Sequence, residues 1–281
     1  MASIKDKLLA IGAALAYPQV RLKPAITKEH FSGKWVLVTG ASHGIGRALT
    51  EKLIDADANV FLIARSEADL QYLCDRAKQR GNRADYCAID LRDREKLELL
   101  CQKLKETLPQ LDYFFCNAGK SIHRKITDAL DRLHDYDRTI DLNYRALVAL
   151  SLALLPALKA SKGSIIYSSS VSTRYPMAPG WSAYHASKCA ANAWCETANS
   201  EFAPLGVRVQ IAYLPLVHTA MSDVNERYRQ LPAYHPADAA NILLRLAIRK
   251  GKRYQPWWAK LSAPIAYLFA PIVHLFYKRM V

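Results

Sequence analysis

The residues best suited to proton transfer are Tyr184 and Lys188, which lie four positions apart in a segment with helical spacing. Residues at this spacing share one face of a helix, so the ammonium group of Lys188 can lie near the phenol of Tyr184. A tyrosine with an ordinary pKa of about 10 transfers protons poorly at neutral pH, and a nearby positive charge favours its phenolate. We therefore expect Lys188 to lower the pKa of Tyr184 and make it a general acid. The same spacing is common on an ordinary helix surface, so other motifs must support this reading.

A glycine-rich turn supplies a second kind of chemistry, the binding of a phosphate group. The segment Thr39-Gly40-Ala41-Ser42-His43-Gly44-Ile45-Gly46 joins an apolar strand-like run to a helical segment that begins at Arg47. Glycine lets the backbone approach a pyrophosphate, and the N-terminus of the following helix stabilises its charge. A glycine-rich turn between a strand and a helix is typical of dinucleotide-binding proteins.

The end of the second strand-like run indicates which dinucleotide binds. Proteins that bind NAD place an acidic residue there, where it accepts hydrogen bonds from the ribose hydroxyls. This chain has Arg65 instead. Its guanidinium group can make charge-assisted hydrogen bonds with a 2′-phosphate, and Ser42 and His43 can assist from the turn. The sequence therefore predicts NADPH as the cofactor. The alternative is that Arg65 is an ordinary solvent-exposed arginine and that the site does not distinguish NADPH from NADH.

Alternating strand-like and helix-like segments predict the fold that positions these groups. Strands are predicted at Trp35–Thr39, Asn59–Ala64, Ala84–Ile89, Leu111–Cys116, Ser164–Ser168 and Val207–Ala212. Helices are predicted at Ile45–Ala56, Glu67–Arg80, Arg92–Thr107, Asp131–Ala160, Ala183–Phe202 and Pro236–Arg249. The irregular segment from Leu214 to Tyr234 is expected to be a lid or binding loop. This order predicts an α/β fold with a doubly wound parallel sheet of the Rossmann type in a single domain.

Length and composition favour one domain with helical apolar extensions at both ends. The chain has 281 residues, 51% of them hydrophobic, and no Pro/Gly/Ser-rich stretch divides it. We predict an N-terminal amphipathic extension at residues 1–30, a catalytic NADP-binding domain at 31–250 and an apolar C-terminal extension at 251–281. The apolar run from Leu261 to Tyr277 contains two prolines and is short for a bilayer span, so we do not expect it to be transmembrane.

Charge and cysteine usage narrow the partners and the compartment. The net charge of +14 favours anionic partners, whether nucleotide phosphates, nucleic acid or acidic lipids. The six cysteines lack metal-ligand spacing, so we expect no metal and a reduced, cytoplasmic location. Trp257 and Trp258 beside Lys260, with Lys278 and Arg279 beyond the apolar run, are typical of interfacial anchors. Peripheral membrane contact is therefore a hypothesis, and packing against another subunit is the competing one.

Five motifs together resemble the short-chain dehydrogenase/reductase family in their order and spacing. They are Thr39-Gly40-x-x-x-Gly44-Ile45-Gly46, Asn117-Ala118-Gly119 after a strand, Asn143 in a helix, Ser168-Ser169-Ser170 at a strand end, and Tyr184-x-x-x-Lys188. The resemblance covers about residues 33 to 250. It implies an NADP-dependent oxidoreductase that reduces a carbonyl group.

The resemblance also implies roles for the residues at matching positions. Tyr184 would be the general acid, and Lys188 would lower its pKa and hold the nicotinamide ribose. Ser170 would hydrogen-bond the substrate carbonyl, with Ser169 as the alternative because three serines are consecutive. Asn143 would hold a water molecule in the proton relay.

Further cofactor contacts are implied along the same cleft. Asn117-Ala118-Gly119 would line its nicotinamide side, and Asp90 would approach the adenine. Pro215 and Thr219 belong to the loop that covers the nicotinamide. Family members commonly have glycine after this proline, whereas this chain has Leu216. Leucine adopts positive φ angles only at a cost, so we expect this loop to follow a different path.

Three segments resemble the bacterial fatty acyl-CoA reductase branch of this family, namely Asn117–Arg124, Asp131–Tyr144 and Tyr213–Met221. This resemblance implies reduction of a fatty acyl-CoA thioester to an aldehyde. A long acyl chain needs an apolar channel, which the loop at 216–235 and the C-terminal segment would supply. A positive rim for the CoA phosphates would come from Arg124, Lys125, Arg227 or Arg229. Each of these side chains, taken singly, is more often an ordinary solvated charge.

Other functions are kept as alternatives. Among enzymes, the alternative is an NADPH-dependent reductase of a 3-ketoacyl, sphingoid or steroid ketone. Two alternatives are not enzymes. A non-catalytic dinucleotide sensor would not need the complete set of Asn143, Tyr184 and Lys188. A nucleic-acid-binding protein is not supported by any recognisable motif in the sequence. The family resemblance further implies a homodimer or homotetramer that associates through the helices carrying Asn143 and Tyr184.

Overall fold

Seven parallel strands form the sheet, and the side chains of its five central strands are mostly buried on both faces, whereas the two edge strands are partly exposed. The strands are β1 Trp35–Thr39, β2 Asn59–Ala64, β3 Ala84–Ala88, β4 Tyr113–Cys116, β5 Ser164–Ser170, β6 Arg208–Leu214 and β7 Arg253–Tyr254. They lie in the order β3-β2-β1-β4-β5-β6-β7. This computed structural model describes residues 12–223 and 226–279, without the side chain of Arg227.

Helices connect the strands and cover both faces of the sheet. They are α1 Pro24–Phe31, α2 Gly44–Asp55, α3 Glu67–Gln79, α4 Arg94–Thr107, α5 Leu133–Ile140, α6 Ala146–Ser161, α7 Ser182–Phe202, α8 Glu226–Arg229, α9 Pro236–Arg249, α10 Trp257–Leu268 and α11 Ala270–Lys278. Residues 12–16 are also helical. Short 3₁₀ turns occupy Ile126–Asp128, Val171–Arg174 and Ala203–Leu205, and one π-helical turn occupies Asp141–Arg145.

The core consists of two apolar layers, one on each side of the sheet. Val36 and Val38 of β1 pack against α2, α3 and α9, whereas Leu37 points the other way and packs against α4, α6 and α7. Burying one such aliphatic side chain contributes about 1.5–3 kcal/mol. The predicted doubly wound parallel sheet is therefore confirmed, and the order of strands places the ends of β1 and β4 side by side.

The predicted elements differ from the structure in three places. The helix predicted at Asp131–Ala160 is α5 and α6 joined by the π-helical turn, which hydrophobic periodicity cannot reveal. The strand β7 has only two residues, too few for an alternating pattern, and pairs with β6. The sheet thus extends beyond residue 250, where the catalytic domain was predicted to end. Helix α1 was not predicted, and it ends at Phe31, which is fully buried although it borders the predicted N-terminal extension.

The terminal segments pack on the same edge of the fold. The predicted N-terminal extension is described only from residue 12 onward, and there Ala16 accepts a hydrogen bond of 2.9 Å from the indole of Trp258. Helices α10 and α11 form a pair bent by 83°. Within the described ranges, the one continuous helix long and apolar enough to cross a membrane is Leu133–Ser161, but half of its most apolar window is buried inside the fold.

Candidate active site

The glycine turn between β1 and α2 is shaped so that its backbone can approach a ligand. Gly40 has a φ of +70°, and a Cβ at this position would lie 3.0 Å from Cα of Ala118. A Cβ at Gly46 would lie only 2.0 Å from the carbonyl oxygen of Gly40. The N-cap of α2 is His43, and no side chain in the described part of the chain caps this helix end. The first amide groups of α2 are thus suited to binding an anion.

The segment after β4 lies against the glycine turn. The hydroxyl of Thr39 at the end of β1 accepts hydrogen bonds of 3.1 Å from the backbone amides of Asn117 and Ala118. The hydroxyl of Ser168 donates to Oδ1 of Asn117 over 3.2 Å. Asn117-Ala118-Gly119 therefore lines the crevice at the carboxyl ends of β1, β4 and β5, where doubly wound sheets bind their ligands.

The corner predicted to bind the 2′-phosphate carries several cations. Arg65 is exposed at the end of β2, and His43 hydrogen-bonds the hydroxyl of Ser42 at 2.8 Å. Asp90, predicted to approach the adenine, is held by Arg92, with 2.6 Å between Nη2 and Oδ2. These hydrogen bonds keep the pKa of Asp90 below its ordinary value, and Arg65 adds a smaller effect. No sequence motif indicated Arg92, whose only signal was its position two residues after Asp90.

Lys188 is buried among the groups that end β5. Its side chain is 5% exposed, its ammonium group donates a hydrogen bond of 2.8 Å to the carbonyl oxygen of Ser168, and it lies 4.7 Å from the ring centre of Tyr167. Burial lowers the pKa of Lys188 to about 8 because a low-dielectric environment disfavours the charged amine. A Cβ at Gly119 would lie 3.5 Å from this amine, which places the lysine at the crevice lined by the β4 segment.

Asn143 lies in the π-helical turn, and its side chain connects three parts of the site. Its Oδ1 accepts a hydrogen bond of 2.8 Å from the backbone amide of Lys120. Its Nδ2 donates to the carbonyl oxygen of Lys120 and to the hydroxyl of Ser187, both over 2.9 Å. Both hydrogens of this amide are therefore used inside the protein. A water molecule in the expected relay could only donate to the Asn143 side chain, not accept from it.

Tyr184 lies at the start of α7, beside the end of β5. Burial raises its pKa above the ordinary value, a hydrogen bond from Ser170 partly offsets this effect, and Tyr228 adds to it. The net shift of the Tyr184 pKa is thus upward, because burial outweighs the effect of Ser170. The ammonium group of Lys188 is directed at the carbonyl oxygen of Ser168. The four-residue spacing put both side chains on one face of α7 but did not fix their distance.

The structure distinguishes between the two candidate serines. The hydroxyl of Ser169 donates to Oδ1 of Asn192 over 2.6 Å, and both side chains are buried. Ser170 is the serine that lies close enough to Tyr184 to lower its pKa. The structure therefore brings Ser170 together with Tyr184, with Lys188 one turn further along α7, and keeps Ser169 out of the cleft.

An aromatic group next to Tyr184 was not expected from the sequence. Trp181 stacks on Tyr228, with ring centres 5.9 Å apart and planes at 9°, and lies edge-on to Tyr184 at 5.9 Å. His123 lies 4.6 Å from Trp181 on another side. The only sequence signal was the i, i+3 spacing of Trp181 and Tyr184, because Tyr228 and His123 come from distant segments. Together these rings form an apolar wall beside the phenol.

The loop after β6 returns over the glycine turn. Pro215 is buried, and Leu216 and His218 exchange backbone hydrogen bonds of 2.9 and 3.0 Å with Tyr234, which closes the base of the loop. A Cβ at Gly44 would lie 3.1 Å from the methyl group of Thr219. The loop therefore contacts the phosphate-binding turn at Gly44.

The cations expected to form a rim for CoA are mostly engaged within the protein. Arg124 pairs with the buried carboxylate of Asp135 at 3.0 Å, and Arg132 pairs with the same group at 3.2 Å. Arg229 donates to the carbonyl oxygen of Asp223 over 2.6 Å. Lys125 lines a surface depression with Arg124, and the side chain of Arg227 lies outside the described part of the chain. These cations are thus less available to bind CoA phosphates than the sequence predicted, because Asp135 neutralises the charge of Arg124.

The C-terminal helices contact the segment that follows Ser170. The hydroxyls of Tyr175 and Ser262 lie 2.6 Å apart, and the hydroxyl of Tyr267 donates to the carbonyl oxygen of Tyr175 over 3.2 Å. The hydroxyl of Tyr277 donates to the carbonyl oxygen of Pro176 over 3.3 Å. Helices α10 and α11 therefore pack against residues 175 and 176, five and six positions beyond Ser170.

Comparisons with known proteins agree with this geometry. The family model for short chain dehydrogenase matches residues 34–229. The chain is 34% identical to a fatty acyl-CoA reductase of Acinetobacter baylyi over 89% of this chain and 84% of that protein. It is 34% identical to a fatty acyl-CoA reductase of Mycobacterium tuberculosis over 85% of this chain and 82% of that protein. A solved metagenomic short-chain oxidoreductase in complex with NADP is 28% identical, with a TM-score of 0.65, over 78% of this chain and 91% of that one.

Proposed function

The chain belongs to the short-chain dehydrogenase/reductase family of oxidoreductases, and from this premise we propose that it uses NADPH to reduce fatty acyl-CoA thioesters to aldehydes. The observation that carries the reductase assignment is the grouping of Tyr184, Ser170 and the buried Lys188 at the mouth of the dinucleotide crevice. The thioester assignment is supported by the two acyl-CoA reductases that match over more than four fifths of their own length.

The residues around the glycine turn fit NADPH. A side chain at Gly40 or Gly46 would collide with backbone atoms, so the turn and the uncapped N-terminus of α2 would hold the pyrophosphate. Arg65, with Ser42 and His43, would hold the 2′-phosphate. The NADP bound to the 28% identical relative supports the same choice. When bound, NADPH supplies the hydride for the reaction.

The nicotinamide side of the cofactor has its own partners. Asn117-Ala118-Gly119 would line this side of the crevice, and Lys188 would bind the ribose hydroxyls. Pro215 and Thr219 would close over it with the loop after β6, whose Thr219 methyl group already lies close to Gly44. The loop would exclude water from the reacting atoms, which strengthens the hydrogen bonds made there.

Tyr184 and Ser170 would activate the carbonyl group of the substrate. The raised pKa of Tyr184 keeps its phenol protonated at neutral pH, which is the form that a general acid needs. The two hydroxyls would donate hydrogen bonds to the oxygen on which negative charge develops. Overall, one thioester, one NADPH and one proton give one aldehyde, one NADP⁺ and one free CoA. The C–S bond breaks, and CoA leaves as its thiol.

We also propose that the protein contacts an anionic lipid bilayer through the outer face of α10 and α11. This face exposes large apolar side chains, namely Trp257, Leu261, Ile265, Leu268, Ile272, Leu275 and Phe276. No acidic residue follows Asp238 in the sequence, whereas eight lysines and arginines do. Apolar side chains surrounded by cations suit an anionic bilayer, and a two-fold interface would place these like charges opposite each other. Because the inner face of both helices packs beside the site, an acyl substrate could enter directly from lipid.

Vesicle sedimentation tests this contact. We expect the protein to sediment with phosphatidylglycerol/phosphatidylcholine vesicles and the pair Leu261→Glu and Leu268→Glu to remain in solution, since these positions are 64% and 75% exposed. Leu130→Glu is the matched control, because Leu130 is 86% exposed but lies elsewhere on the surface. Equal sedimentation of the double variant and the control would contradict the proposal.

We further propose a homodimer or homotetramer built on the helices that carry Asn143 and Tyr184. Leu152 lies on α6, which continues the turn that carries Asn143, and this large apolar side chain is 55% exposed. Sedimentation velocity should show an oligomer for the wild-type protein and a smaller species for Leu152→Glu. A wild-type monomer would contradict this assembly.

The reaction is tested with palmitoyl-CoA and NADPH. We expect NADPH oxidation to be matched by equal release of free thiol, which only thioester reduction produces. A control without NADPH detects simple thioester hydrolysis. Oxidation of NADPH with ketones and none with palmitoyl-CoA would favour the ketone-reductase alternative. Tight NADPH binding without turnover of either substrate would favour a dinucleotide sensor.

A further inference from the structure

A chain of hydrogen bonds leads from Ser170 away from the cleft. Ser170 lies close enough to Tyr184 to lower its pKa, and its Oγ lies 2.8 Å from Oγ of Ser172. The hydroxyl of Ser172 in turn lies 3.1 Å from Nε2 of His185. His185 directly follows Tyr184 in α7, so the chain ends at the residue next to the phenol that Ser170 acts on. The roles assigned above include neither Ser172 nor His185.

His185 is a buried, neutral imidazole. Its side chain is 5% exposed, and burial alone lowers its pKa, with no charged group contributing. The rings of Trp181 and Tyr184 lie 6.5 and 5.9 Å away. A neutral imidazole carries one hydrogen, so one ring nitrogen donates and the other accepts. Which nitrogen holds the hydrogen determines the direction of the whole chain.

The surroundings of the two ring nitrogens favour a hydrogen on Nε2. Nδ1 of His185 is buried and has no hydrogen-bond partner among the described residues. A hydrogen on Nδ1 would therefore be a buried donor without an acceptor, which is destabilising. A hydrogen on Nε2 is donated to Ser172, and only a lone pair is left unpaired at Nδ1. Unpaired buried acceptors are more common in proteins than unpaired buried N–H groups.

The direction of the remaining hydrogen bonds follows from this tautomer. Ser172 accepts from His185, so its own hydrogen can be donated to Ser170. Ser170 also accepts from the backbone amide of Ser172 over 3.3 Å. With both lone pairs of Ser170 engaged, its hydroxyl hydrogen must point away from Ser172, so it is available to Tyr184 or to a bound substrate.

We propose that His185 is a positioning residue that acts through Ser172 to make Ser170 a fixed hydrogen-bond donor to the reacting oxygen. Without this chain, Ser170 could rotate and donate to Ser172, and its lone pair would then face the carbonyl oxygen of the substrate. The catalytic consequence rests on the proposed reductase function, whereas the order of the hydrogen bonds does not. The two can therefore be tested separately.

The order of the hydrogen bonds is tested without any substrate. In protein labelled with ¹⁵N-histidine, the His185 signal is assigned by its loss in His185→Gln. We expect a protonated Nε2 and a bare Nδ1 at pH 7. A hydrogen on Nδ1, or a doubly protonated ring, would overturn the proposal whatever the enzyme reduces.

The catalytic consequence is tested with a double-mutant cycle on the carbonyl substrate that the wild-type enzyme reduces best. His185→Phe should lower kcat about tenfold, the effect of about 1.4 kcal/mol in the transition state, without changing the Kd for NADPH. His185→Gln keeps an N–H near the position of Nε2 and should restore most of the rate. In a Ser170→Ala background, His185→Phe should have no further effect, because its route to the substrate is already lost.

Two controls separate positioning from a general effect on folding. Cys189→Ala changes a half-buried residue of the same helix outside the chain, and its kcat should equal that of the wild type. Ser172→Ala should reproduce the kinetics of His185→Phe. Independent, multiplicative losses from Ser170→Ala and His185→Phe would show that His185 acts by another route and would overturn the proposal.

Discussion

Replacing Lys188 by methionine should stabilise the protein while abolishing its reaction. The ammonium group of Lys188 is buried, and its compensating contacts are a hydrogen bond to the carbonyl oxygen of Ser168 and the ring of Tyr167. A buried charge that is not fully compensated lowers the free energy of unfolding. Methionine has a similar length and carries no charge, so Lys188→Met removes this cost without leaving a large cavity.

The size of the effect follows from the pKa of Lys188, which burial lowers from 10.5 to about 8. At 1.36 kcal/mol per pKa unit, the folded state disfavours the charged amine by about 3 kcal/mol. The variant also loses the hydrogen bond from the amine to Ser168, which costs about 1 kcal/mol. At pH 7 we therefore expect Lys188→Met to raise the free energy of unfolding by about 2 kcal/mol.

The pH dependence of this difference has a definite sign. Below pH 8 the lysine is protonated in both folded and unfolded states, so the wild type carries the full cost. Between pH 8 and 10.5 the unfolded state binds more protons than the folded state, so the stability of the wild type rises with pH. The advantage of Lys188→Met should therefore be full at pH 7 and disappear as the pH approaches 10.5.

Urea unfolding of both proteins at pH 7 and pH 10, without added NADPH, measures this difference. The tyrosines with raised pKa values titrate in both proteins alike, so only the difference between the two proteins is interpreted. A wild type more stable than Lys188→Met at pH 7, or a difference independent of pH, would refute the reasoning. Loss of turnover in the stabilised variant would show that the buried charge is kept for function.

Three further substitutions test the site. Tyr184→Phe should lower kcat at least about 100-fold with unchanged NADPH affinity, because only the acid is lost; an unchanged kcat would contradict this role. Arg65→Glu should weaken NADPH binding at least about tenfold and leave NADH binding unchanged, which fluorescence titration measures. Equal losses of affinity for NADPH and NADH would exclude a contact between Arg65 and the 2′-phosphate. Gly46→Ala should abolish NADPH binding, because the new methyl group would lie 2.0 Å from the carbonyl oxygen of Gly40. Gly251→Ala is the control and should bind NADPH normally, since its new methyl group would lie no closer than 3.7 Å to another residue.

Much of the fold could be predicted because its signals are local. The six long strands are apolar runs bounded by turns, and their predicted bounds differ from the observed ones by at most two residues at either end. The two-residue strand β7 and the π-helical turn at Asp141–Arg145 carry no such signal. Strand β7 is defined by its pairing with β6. The π-helical turn is defined by backbone hydrogen bonds that reach one residue further along the chain than those of an α-helix.

The site residues could be predicted from motifs, but their contacts could not. Consecutive serines look alike in a sequence. Only the packing of α7 on β5 distinguishes Ser169, which hydrogen-bonds Asn192, from Ser170, which lies close enough to Tyr184 to lower its pKa. The charge of Lys188 was expected to act on Tyr184, yet the direction of a four-carbon side chain depends on its acceptor, the carbonyl oxygen of Ser168. These contacts depend on how segments distant in sequence pack together, and the spacing of residues along one helix does not reveal that packing.

The parts of the site that the motifs did not predict are those that would select the substrate. The family model ends at residue 229, so α10 and α11 lie beyond the pattern shared by the family, although they pack against the segment following Ser170. Tyr228, which stacks on Trp181, lies at the very end of that pattern. Proton donation from Tyr184 needs only the shared framework. The aromatic wall beside Tyr184 and the C-terminal helices add to this framework, so we infer that substrate choice resides in these segments and the chemistry in the shared sheet.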